Sequence, residues 1–556
     1  MNPDLLLAHF NRISDAPDAI SRLRRFILDL AVRGKLVEQD RDDEPASVLL
    51  KRIETEKARL VKEGKIRRQD QTQPVEKEEQ PFTLPATWVW AHFGGIADFS
   101  AGRTPSRHDF SFWNTGDHSW VSIADMKDGG EVTTTEETIS EKAKSQVFGS
   151  DPEPIGTLIM SFKLTIGKIS KLAIPAFHNE AIISVRPHEP QMDRYLFKVL
   201  PQFSRQGDTK NAIKGATLNR DSIAKILLPL PPLSEQHRII AKVDELMALC
   251  DRLEDMQRDR ENRRDRLAAA SHFHLNNGAA GDLRAQASFY LNNLPQLTIT
   301  SQQISSLRQT ILDLAVHGRL VRRSDELGEE RNPTKSLSSD AKFPAHWSIQ
   351  PLTNVAASIV DCPHSTPKWT TKGKICVRTN QFRPGKLDLS TVRFVSESTY
   401  LERIQRLEPV ENDILYSREG GILGVACRVP PNTQLCLGQR MMLIRPGAHI
   451  DPAFLEMVLN SPLITGIALA KTTGGAAPRI NVATVKAYPI PLPSLAEQQR
   501  IVAKVNELMA LCDRLESQLT NVETETGRLL EAVLHHTLSD AFLRDTPQQR
   551  TRNEVC

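Results

Sequence analysis

Apolar residues recur at alternating steps of four and three along two widely separated segments, a pattern typical of a helix with a coiled-coil seam. The C-terminal segment carries it at Ile501, Val505, Leu508, Cys512, Leu515, Leu519, Val522, Leu529 and Val533, with Thr526 as the one polar position. An earlier segment repeats the first five positions at Ile239, Val243, Leu246, Cys250 and Leu253, and then places Gln257, Arg260 and Arg264 on the seam. The sequence therefore predicts two long helices, of which the earlier has a shorter apolar stripe or a different partner.

These helical segments belong to an internal repeat. Residues 229–254 and 491–516 differ at five of 26 positions, and residues 23–37 and 307–321 differ at four of 15. A shorter similarity relates Pro-Ala-Thr-Trp at 85–88 to Pro-Ala-His-Trp at 344–347. The copies at 23–37 and 307–321 each end an apolar helical run at Gly34 or Gly318, where a left-handed helix cap is expected. Such self-similarity indicates a scaffold that is built twice.

Two stretches between the helical copies, 81–234 and 341–496, barely resemble each other. Their short apolar runs, such as Leu-Ile-Met-Ser at 158–161 and Ile-Leu-Tyr-Ser at 414–417, are bounded by Gly, Pro, Asn and Asp, which favours mixed α/β domains. We therefore predict an N-terminal helical region (1–80), a first domain (81–234), a central helical spacer (235–340), a second domain (341–496), a C-terminal helix (497–545) and a tail (546–556).

Composition narrows the class of protein. A chain of 556 residues is too long for one ordinary core, and no apolar run approaches the roughly 18 to 20 residues of a membrane span. The start does not have the pattern of a signal peptide, so we expect a cytoplasmic protein without a membrane partner. The seven cysteines are an odd number and form no C-x-x-C pair, which disfavours a disulfide framework or a zinc site. We expect no metal and no catalytic residue.

The net charge of +3 says little about partners, but its distribution does. Residues 341–496 contain 17 Lys and Arg against 10 Asp and Glu, whereas residues 81–234 contain 16 of each. One run of basic residues in the second stretch is opposed only by Asp388, and consists of Lys368, Lys372, Lys374, Arg378, Arg383, Lys386 and Arg393. Contact with DNA phosphates is the functional interpretation, and a solvated surface is the alternative for any single lysine.

Four loops combine Gly or Pro with side chains that suit base edges and phosphates, namely GRTPS (102–106), KGATLN (214–219), HSTPK (364–368) and SREG (417–420). Ordinary turn chemistry is the alternative for each of them. The candidate DNA-contacting residues are Arg103, Thr104, Ser106, Lys163, Lys210, Lys214, Thr217, Asn219, His364, Ser365, Thr366, Lys368, Lys374, Arg378, Arg383, Arg418, Glu419 and Arg479. The candidate contacts between helices or with partner subunits are Ile239, Val243, Leu246, Leu253, Ile501, Val505, Leu508 and Leu515.

The sequence is less consistent with two other classes of protein, an enzyme and a coiled-coil scaffold. An enzyme would be expected to carry a signature, but the sequence has no G-x-x-x-x-G-K-[ST] phosphate loop and no Asn or Asp followed by Pro-Pro and an aromatic residue, the motif that holds a flipped adenine. A coiled-coil scaffold alone would not need two unlike domains rich in polar loops. Both alternatives are therefore less favoured than a DNA-binding protein.

The order and duplication of these segments resemble type I restriction-modification specificity subunits over essentially the whole chain. The resemblance is carried by PLPPLSEQHRI and PLPSLAEQQRI, by the two LDLAVxGxLV segments, and by GRTPS (102–106), NTGDHSWVSIADM (114–126) and NDILYSREG (412–420). It implies two globular target-recognition domains separated by two long antiparallel helical coiled-coil spacers, with a pseudo-two-fold repeat. Each domain would read half of a split, asymmetric DNA target through the major groove.

The resemblance also implies partners. They are double-stranded DNA, two methyltransferase (M) subunits that methylate adenine, and restriction (R) subunits that translocate and cut DNA. S-adenosylmethionine, ATP and Mg²⁺ would be used by those subunits, and this chain would bind no cofactor.

One implied spacer pairs helices at about 235–275 and 301–320, and the other pairs the N-terminal helices with 497–540. An N-terminal insert departs from the repeat, because about 45 residues separate Val37 from Phe82 and only 21 separate Val321 from Phe343. Within the insert, a helix is expected to begin at Pro45 and to run through Leu49, Ile53 and Leu60.

Overall fold

The structure is a computed structural model, and it describes residues 18–66, 75–204, 210–212, 215–217, 219–278, 282–321, 343–473 and 478–543. The chain divides into two compact units, one formed by residues 1–257 and 525–556 and the other by residues 258–524. Each unit contains one α/β domain closed by a two-stranded ribbon.

The first unit contains the elements from α1 to the first part of α7. Its helices are α1 (Ala19–Val32), α2 (Ala46–Lys62), α3 (Phe93–Ile96), α4 (Glu141–Ala143), α5 (Asp193–Ser204), α6 (Arg220–Ala224) and the first part of α7 (Leu233–Asn277). Its strands are β1 (Val89–His92), β2 (Ala97–Ala101), β3 (Trp113–Val121), β4 (Gly130–Val132), β5 (Glu137–Ile139), β6 (Leu158–Ser161), β7 (Ile169–Leu172), β8 (Ala176–His178), β9 (Ile182–Pro187), β10 (Lys210–Ala212), β11 (Gly215–Thr217) and β12 (Leu227–Leu230).

The elements of the second unit end in the longest helix. Its further helices are α8 (Leu283–Asn292), α9 (Leu294–Leu297), α10 (Ser301–Val316), α11 (Leu352–Val355), α12 (Glu397–Ile404), α13 (Pro452–Asn460), α14 (Pro462–Ala470), α15 (Val482–Lys486) and α16 (Leu495–Leu543), whose last part belongs to the first unit. Its strands are β13 (Ser348–Pro351), β14 (Ala356–Asp361), β15 (Trp369–Thr370), β16 (Lys374–Val377), β17 (Phe382–Arg383), β18 (Lys386–Leu387), β19 (Arg393–Val395), β20 (Ile414–Ser417), β21 (Ala426–Arg428), β22 (Leu435–Leu437), β23 (Met441–Pro446) and β24 (Pro489–Leu492).

The two α/β domains share a common set of strands, although their sequences barely agree and their sheets differ at the edges. In the first, the sheets have the orders β2-β9-β6-β7-β4 and β5-β3-β8, and the ribbon is β1-β12. In the second, they have the orders β14-β23-β20-β21 and β15-β19-β16-β22, and the ribbon is β13-β24. One sheet of each domain contains the same antiparallel series, β2-β9-β6-β7 or β14-β23-β20-β21, and the other sheet contains the same parallel pair, β3-β8 or β16-β22. Strand β4 extends the series in the first domain only, and β15 extends the other sheet in the second domain only. The predicted mixed α/β class is thereby confirmed.

The predicted N-terminal helix exists, and it packs on the first α/β domain. Helix α2 begins immediately after Pro45. Its buried residues Ala46, Leu49 and Ile53 lie in the same hydrophobic cluster as Trp90 and Phe93 of that domain. The insert is thus an addition to the core of the first domain.

The junction between each domain and its long helix is built twice. The indole of Trp88 donates to Glu235 at 2.9 Å, and the indole of Trp347 donates to Glu497 at 3.2 Å. Both glutamates lie in the first turn of a long helix, where a carboxylate is stabilised by the helix dipole. Gly34 and Gly318, at φ +68° and +66°, provide the predicted left-handed caps, each beside the proline of its repeat. The sequence repeat is therefore a structural repeat as well.

The shorter repeated helices pack on the beginning of the long ones. In the first unit, Ile27 and Ala31 of α1 share a buried cluster with Ile239, Val243 and Cys250 of α7. The second unit builds the equivalent cluster between α10 and α16, through Ile304, Ile311, Ala315, Ile501, Val505 and Cys512. Ion pairs repeat too: Arg24 binds Asp251 and Glu254, and Arg308 binds Asp513 and Glu516.

The expected helix pairing is wrong for these seam segments. Residues 239–250 pack on α1 rather than on 301–320, and residues 501–512 pack on α10 rather than on the N-terminal helices. The expected pairs of helices do contact each other in the second halves of the long helices. Asp265 accepts from Gln303 at 2.8 Å, and Glu531 accepts from Arg22 at 3.1 Å. Val522 is 62% exposed, so the predicted seam is not covered over its full length. Periodicity identifies the apolar face of a helix but not the helix that covers it.

Within the described residues, no single helix is long and apolar enough to cross a membrane. The pair α13 and α14, bent by 51°, reaches that length and composition only together, and α13 is buried in the core of the second domain.

Candidate nucleic-acid interface

The same two connections meet in both α/β domains, and two of the four predicted DNA-contacting loops lie there. One connection follows the edge strand β2 or β14, and the other follows β8 or β22. The two connections are joined directly, since the Arg103 N–H donates to His178 O at 2.9 Å in the first domain and the Gln439 side chain donates to His364 O in the second. The loop after the edge strand is residues 102–106 in the first domain and residues 362–366 in the second.

In the first domain, loop 102–106 lies against the backbone after β8. A Cβ atom on Gly102 would be 1.9 Å from His178 O, so only glycine permits this approach. The Arg103 N–H donates to His178 O at 2.9 Å, and Arg103 O accepts from the Trp120 indole at 3.0 Å. The guanidinium of Arg103 also donates to Val147 O. Burial holds the pKa of His178 below its ordinary value, so this imidazole is neutral.

Further predicted residues of the first domain gather at the same place. The Thr104 hydroxyl donates to the Glu180 carboxylate, and the Ser106 carbonyl accepts from the Trp113 indole at 3.0 Å. Lys163 lies directly after β6 with its ammonium 5.3 Å from the Phe162 ring, and Phe162 N donates to Ala181 O at 2.9 Å. Arg103 and Thr104 therefore contact one short stretch, residues 178–181, and Lys163 follows a residue that is bonded to it.

The structure describes only some of the candidate residues in and near the KGATLN segment (214–219). Lys210 and Thr217 lie opposite each other on the hairpin β10-β11, and Lys214 lies outside the described residues. Asn219 accepts from Ser222 N at 2.7 Å and caps α6. Turn chemistry, which was the alternative at this position, accounts for the Asn219 side chain.

In the second domain, loop 362–366 is held by side chains that the sequence did not single out. Arg403 of α12 is 4% exposed, and its guanidinium donates to Ser365 O at 3.2 Å and to Gly438 O at 2.7 Å. Gln439 donates to His364 O. The side chain of His364 is 67% exposed and lies 3.4 Å from Asp361. Ser365 and Thr366 are exposed as well, so the polar side chains of this loop are free to meet a ligand.

The SREG residues contribute to the support of this loop. Arg418 is 7% exposed, and it binds Asp361 through two hydrogen bonds of 2.9 and 3.0 Å and Glu419 at 3.2 Å. Glu419 forms a β-bridge with Arg479, which is exposed. Arg418 is thus a structural residue of the loop's base, whereas Arg479 presents a charge at the surface.

The basic run of the second domain, from Lys368 to Arg393, lies on strands β16 to β19 and the turns beside them. The Arg393 guanidinium is 5.3 Å from the Trp369 ring. Lys374 donates to Gln434 at 2.9 Å above Tyr400, and burial raises the pKa of this tyrosine to about 12, so that it stays neutral. Arg383 is exposed and donates to the carbonyls of Asn380 and Phe382.

Other members of the run keep free donors. The buried Nε of Arg378 has no hydrogen-bond partner in the part of the chain that the structure describes. The side chains of Lys368, Lys372 and Lys386 are exposed, and among the described residues none of them forms an ion pair. The three exposed ammonium groups are available to bind phosphate oxygens.

Residues missed from the sequence belong to both domains. Arg107 lies with its guanidinium 3.8 Å from the Trp113 ring and pairs with Glu137, whose hydrogen bond raises the pKa of Arg107. Arg403 and Gln439 anchor loop 362–366 in the second domain. No signal in the sequence identifies Arg403 and Gln439, because their hydrogen-bond partners are 34 to 75 residues away along the chain.

The seam residues lie within their own units. Ile239, Val243, Ile501 and Val505 are buried. Leu246, Leu253, Leu508 and Leu515 are half-buried, and so they retain some surface. Cys250 and Cys512, which also lie on the seam, are each 1% exposed.

Comparison with known proteins gives consistent matches. A family model described as the type I restriction modification DNA specificity domain matches residues 85–261 and 371–524. The EcoEI specificity subunit of a type I restriction enzyme from Escherichia coli is 26% identical over alignments that cover 94% of each chain. The EcoAI specificity subunit from Escherichia coli is 27% identical, with 92% of this chain and 93% of the relative covered.

A solved structure, the HsdS subunit from Thermoanaerobacter tengcongensis, is 19% identical and has a TM-score of 0.39 over 83% of this chain and 98% of that chain, which is too low to bear on the argument. Each match of the family model spans one α/β domain, or most of it, with part of the long helix that follows. Because the two matches together span more than half of the sequence, the chain belongs to the family of type I restriction-modification DNA specificity subunits.

Proposed function

We propose that this subunit reads a bipartite, asymmetric DNA target, with one half-site bound by each α/β domain. The observation that carries the proposal is that the two domains are built on a common set of strands but present different side chains at equivalent loops. Arg103 and Thr104 follow β2, whereas His364 and Ser365 occupy the loop after β14. A common fold with unlike loops is the arrangement expected for reading two unlike base sequences through hydrogen bonds at base edges.

The chain itself would catalyse nothing. Methyl transfer to adenine would be performed by two M subunits with S-adenosylmethionine, and DNA translocation and cleavage by R subunits with ATP and Mg²⁺. The half-buried seam residues Leu246, Leu253, Leu508 and Leu515 are the surfaces we propose for helix and subunit contacts. Helices α7 and α16 would serve as antiparallel coiled-coil spacers. The complex would act on DNA in the cytoplasm.

Methylation mapping tests this function. The full chain is assembled with its methyltransferase subunit, incubated with genomic DNA and S-adenosylmethionine, and the modified adenines are located by sequencing. We expect one target made of two unlike half-sites separated by unspecified bases. A single uninterrupted target, or methyl transfer by the purified chain without a partner, would contradict the proposal.

A further inference from the structure

Arg403 is a buried cation that forms hydrogen bonds only with backbone carbonyls among the residues that the structure describes. It lies on α12 and is 4% exposed. Its Nε donates to Leu437 O at 2.5 Å, and its Nη2 to Gly438 O at 2.7 Å and Pro363 O at 3.3 Å. Its Nη1 donates to Ser365 O at 3.2 Å. No carboxylate pairs with it among the residues that the structure describes.

Such a charge fixes the positions of the groups around it. Removing an ion from water is costly unless hydrogen bonds replace its hydration. The guanidinium is a rigid planar fork, so its donors reach several acceptors only when these are correctly arranged. Arg403 therefore holds two separate segments together, residues 363–365 and residues 437–438.

Loop 362–366 is consequently fixed by its backbone, while the side chains of residues 364–366 remain exposed. The three successive carbonyls of Pro363, His364 and Ser365 all accept from side chains outside the loop, namely those of Arg403 and Gln439. The side chains of His364, Ser365 and Thr366 are exposed. A loop of this kind presents its polar groups in one arrangement before a ligand arrives.

We propose that Arg403 is a positioning residue that sets the base discrimination of the second α/β domain. It contacts no DNA itself and acts through loop 362–366. The inference rests on the proposed function, because it concerns the half-site that this domain reads. A bidentate base contact tolerates little displacement, so a loosened loop loses discrimination before it loses its attraction to phosphates.

The first domain holds its equivalent loop by other means. There the cation is on the loop, where Arg103 donates to Val147 O, and the Trp120 indole donates to Arg103 O. Substituting Arg403 thus leaves the first domain as an internal reference within the same molecule. Discrimination should change at one half-site only.

The test compares Arg403→Lys with the wild type. Lysine keeps the charge but lacks the fork. Each full chain, assembled with a methyltransferase subunit, selects duplexes from a pool with a randomised central segment, and the selected sequences give the base preference at each half-site. For Arg403→Lys we expect preference at one half-site to fall about tenfold or more. Preference at the other half-site and the salt dependence of binding should stay unchanged.

A matched control separates positioning from general loosening. Arg428 in the same domain bonds to Glu456 at 2.8 Å, away from loop 362–366. The two variants are compared under conditions in which each has lost the same amount of melting temperature. Arg428→Lys should then keep its base preference at both half-sites. If Arg428→Lys relaxes the same half-site equally, or if folded Arg403→Lys keeps full preference, the inference is overturned.

Gln439→Ala gives a second and milder variant. It removes only the hydrogen bond to His364 O, and it decides the question if Arg403→Lys does not fold. Relaxed preference at the same half-site supports the inference, and full preference overturns it. If the wild-type complex selects no two-part sequence, the proposed function itself is wrong. This result differs from relaxed preference and from full preference in the Gln439→Ala variant.

Discussion

Basic side chains on the second α/β domain differ in how far the protein already uses their charge. Arg418 is buried against Asp361, and Lys374 is hydrogen-bonded to Gln434. Arg378 and Lys372, by contrast, keep donors without partners in the described residues. A residue whose charge is free contributes more to phosphate binding than one that is already paired.

The first prediction concerns these free cations. We expect Arg378→Ala and Lys372→Ala each to weaken DNA binding and to reduce the salt slope by about one unit, because each removes one phosphate contact. Lys374→Ala should have a smaller effect. Lys504→Ala, which removes a lysine already paired with Glu507 on α16, is the control and should leave the slope unchanged. Binding isotherms over a range of salt concentrations provide the measurement, and unchanged slopes for Arg378→Ala and Lys372→Ala would assign both residues to a solvated surface.

The second prediction concerns His188, which lies buried beside α2. Burial, with the nearby Lys57 ammonium, lowers the pKa of His188 to about 4, against the opposite effects of Asp98 and Glu56. Because the folded-state pKa lies below the ordinary 6.5, His188 contributes stability above pH 6.5 that is lost as the pH falls through about 4. The melting temperature of the wild type should thus fall further between these pH values than that of His188→Gln. Equal decreases would show that His188 protonates freely in the folded chain.

Residue types that look equivalent in the sequence have different roles in the structure. Arg418 and Arg479 were predicted as DNA contacts on the same grounds, yet one is buried and the other exposed. Arg403 lies in an unremarkable stretch, Glu-Ser-Thr-Tyr-Leu-Glu-Arg-Ile, and carries no motif. Its role depends on carbonyls at 363–365 and 437–438 that only the tertiary fold brings near. The sequence therefore indicates loops but not the residues that hold them.

Helices were predictable where their determinants are local. Apolar periodicity and the glycine caps identified α1, α7, α10 and α16, and Pro45 marked the start of α2. Strand order could not be predicted, because β2 pairs with β9 across about 80 residues of intervening chain. The sequence also could not predict which helix packs on which seam, because α1 and α10 have nearly the same sequence and either could pack on either long helix.

The third prediction tests the packing of α10 on α16. Leu508 is half-buried in the cluster that these helices share. We expect Leu508→Asp to destabilise the second unit by roughly 2 kcal/mol, because it places an unpaired charge against apolar side chains. Asn506→Asp is a matched control, as position 506 is exposed and the first repeat carries Asp244 there. Denaturant unfolding measures both, and equal midpoints for the two variants would show that Leu508 is not part of the packed face.

The internal repeat includes the contacts that the long helices make beyond their first halves. It therefore suggests that half of the chain could form a smaller version of the protein. In the first unit, α1 contacts Leu530 of α16 through Ala19. Ala268 of α7 stands at the position in the repeat that Leu530 occupies, and it is likewise buried, in a cluster of the second unit. A half-chain therefore contains both kinds of helical surface that the full chain uses.

The fourth prediction follows for a half-chain of roughly residues 1–295. We expect two copies to pair as a symmetric dimer, in which α1 of one copy packs on the second half of α7 of the other. With the methyltransferase subunit, this dimer should modify a palindrome of the first half-site. Sedimentation gives the oligomeric state, and methylation mapping gives the target. A monomeric half-chain, or one that marks only the original asymmetric target, would contradict the equivalence of the two repeats.

The ribbons that close the domains have a genetic consequence. Strands β1 and β12 pair directly, as do β13 and β24, so the chain enters and leaves each domain at neighbouring points. Near-duplicate protein segments lie on both sides of the domains: 23–37 and 307–321 precede them and differ at four of 15 positions, and 229–254 and 491–516 follow them and differ at five of 26. An exchange at these segments, made beyond residue 230 or 492 on the far side, would transfer a domain with its ribbon and sheets intact. Under the proposed function, such an exchange would create a new target in a single recombination event, with the helix junction already in place for the incoming domain.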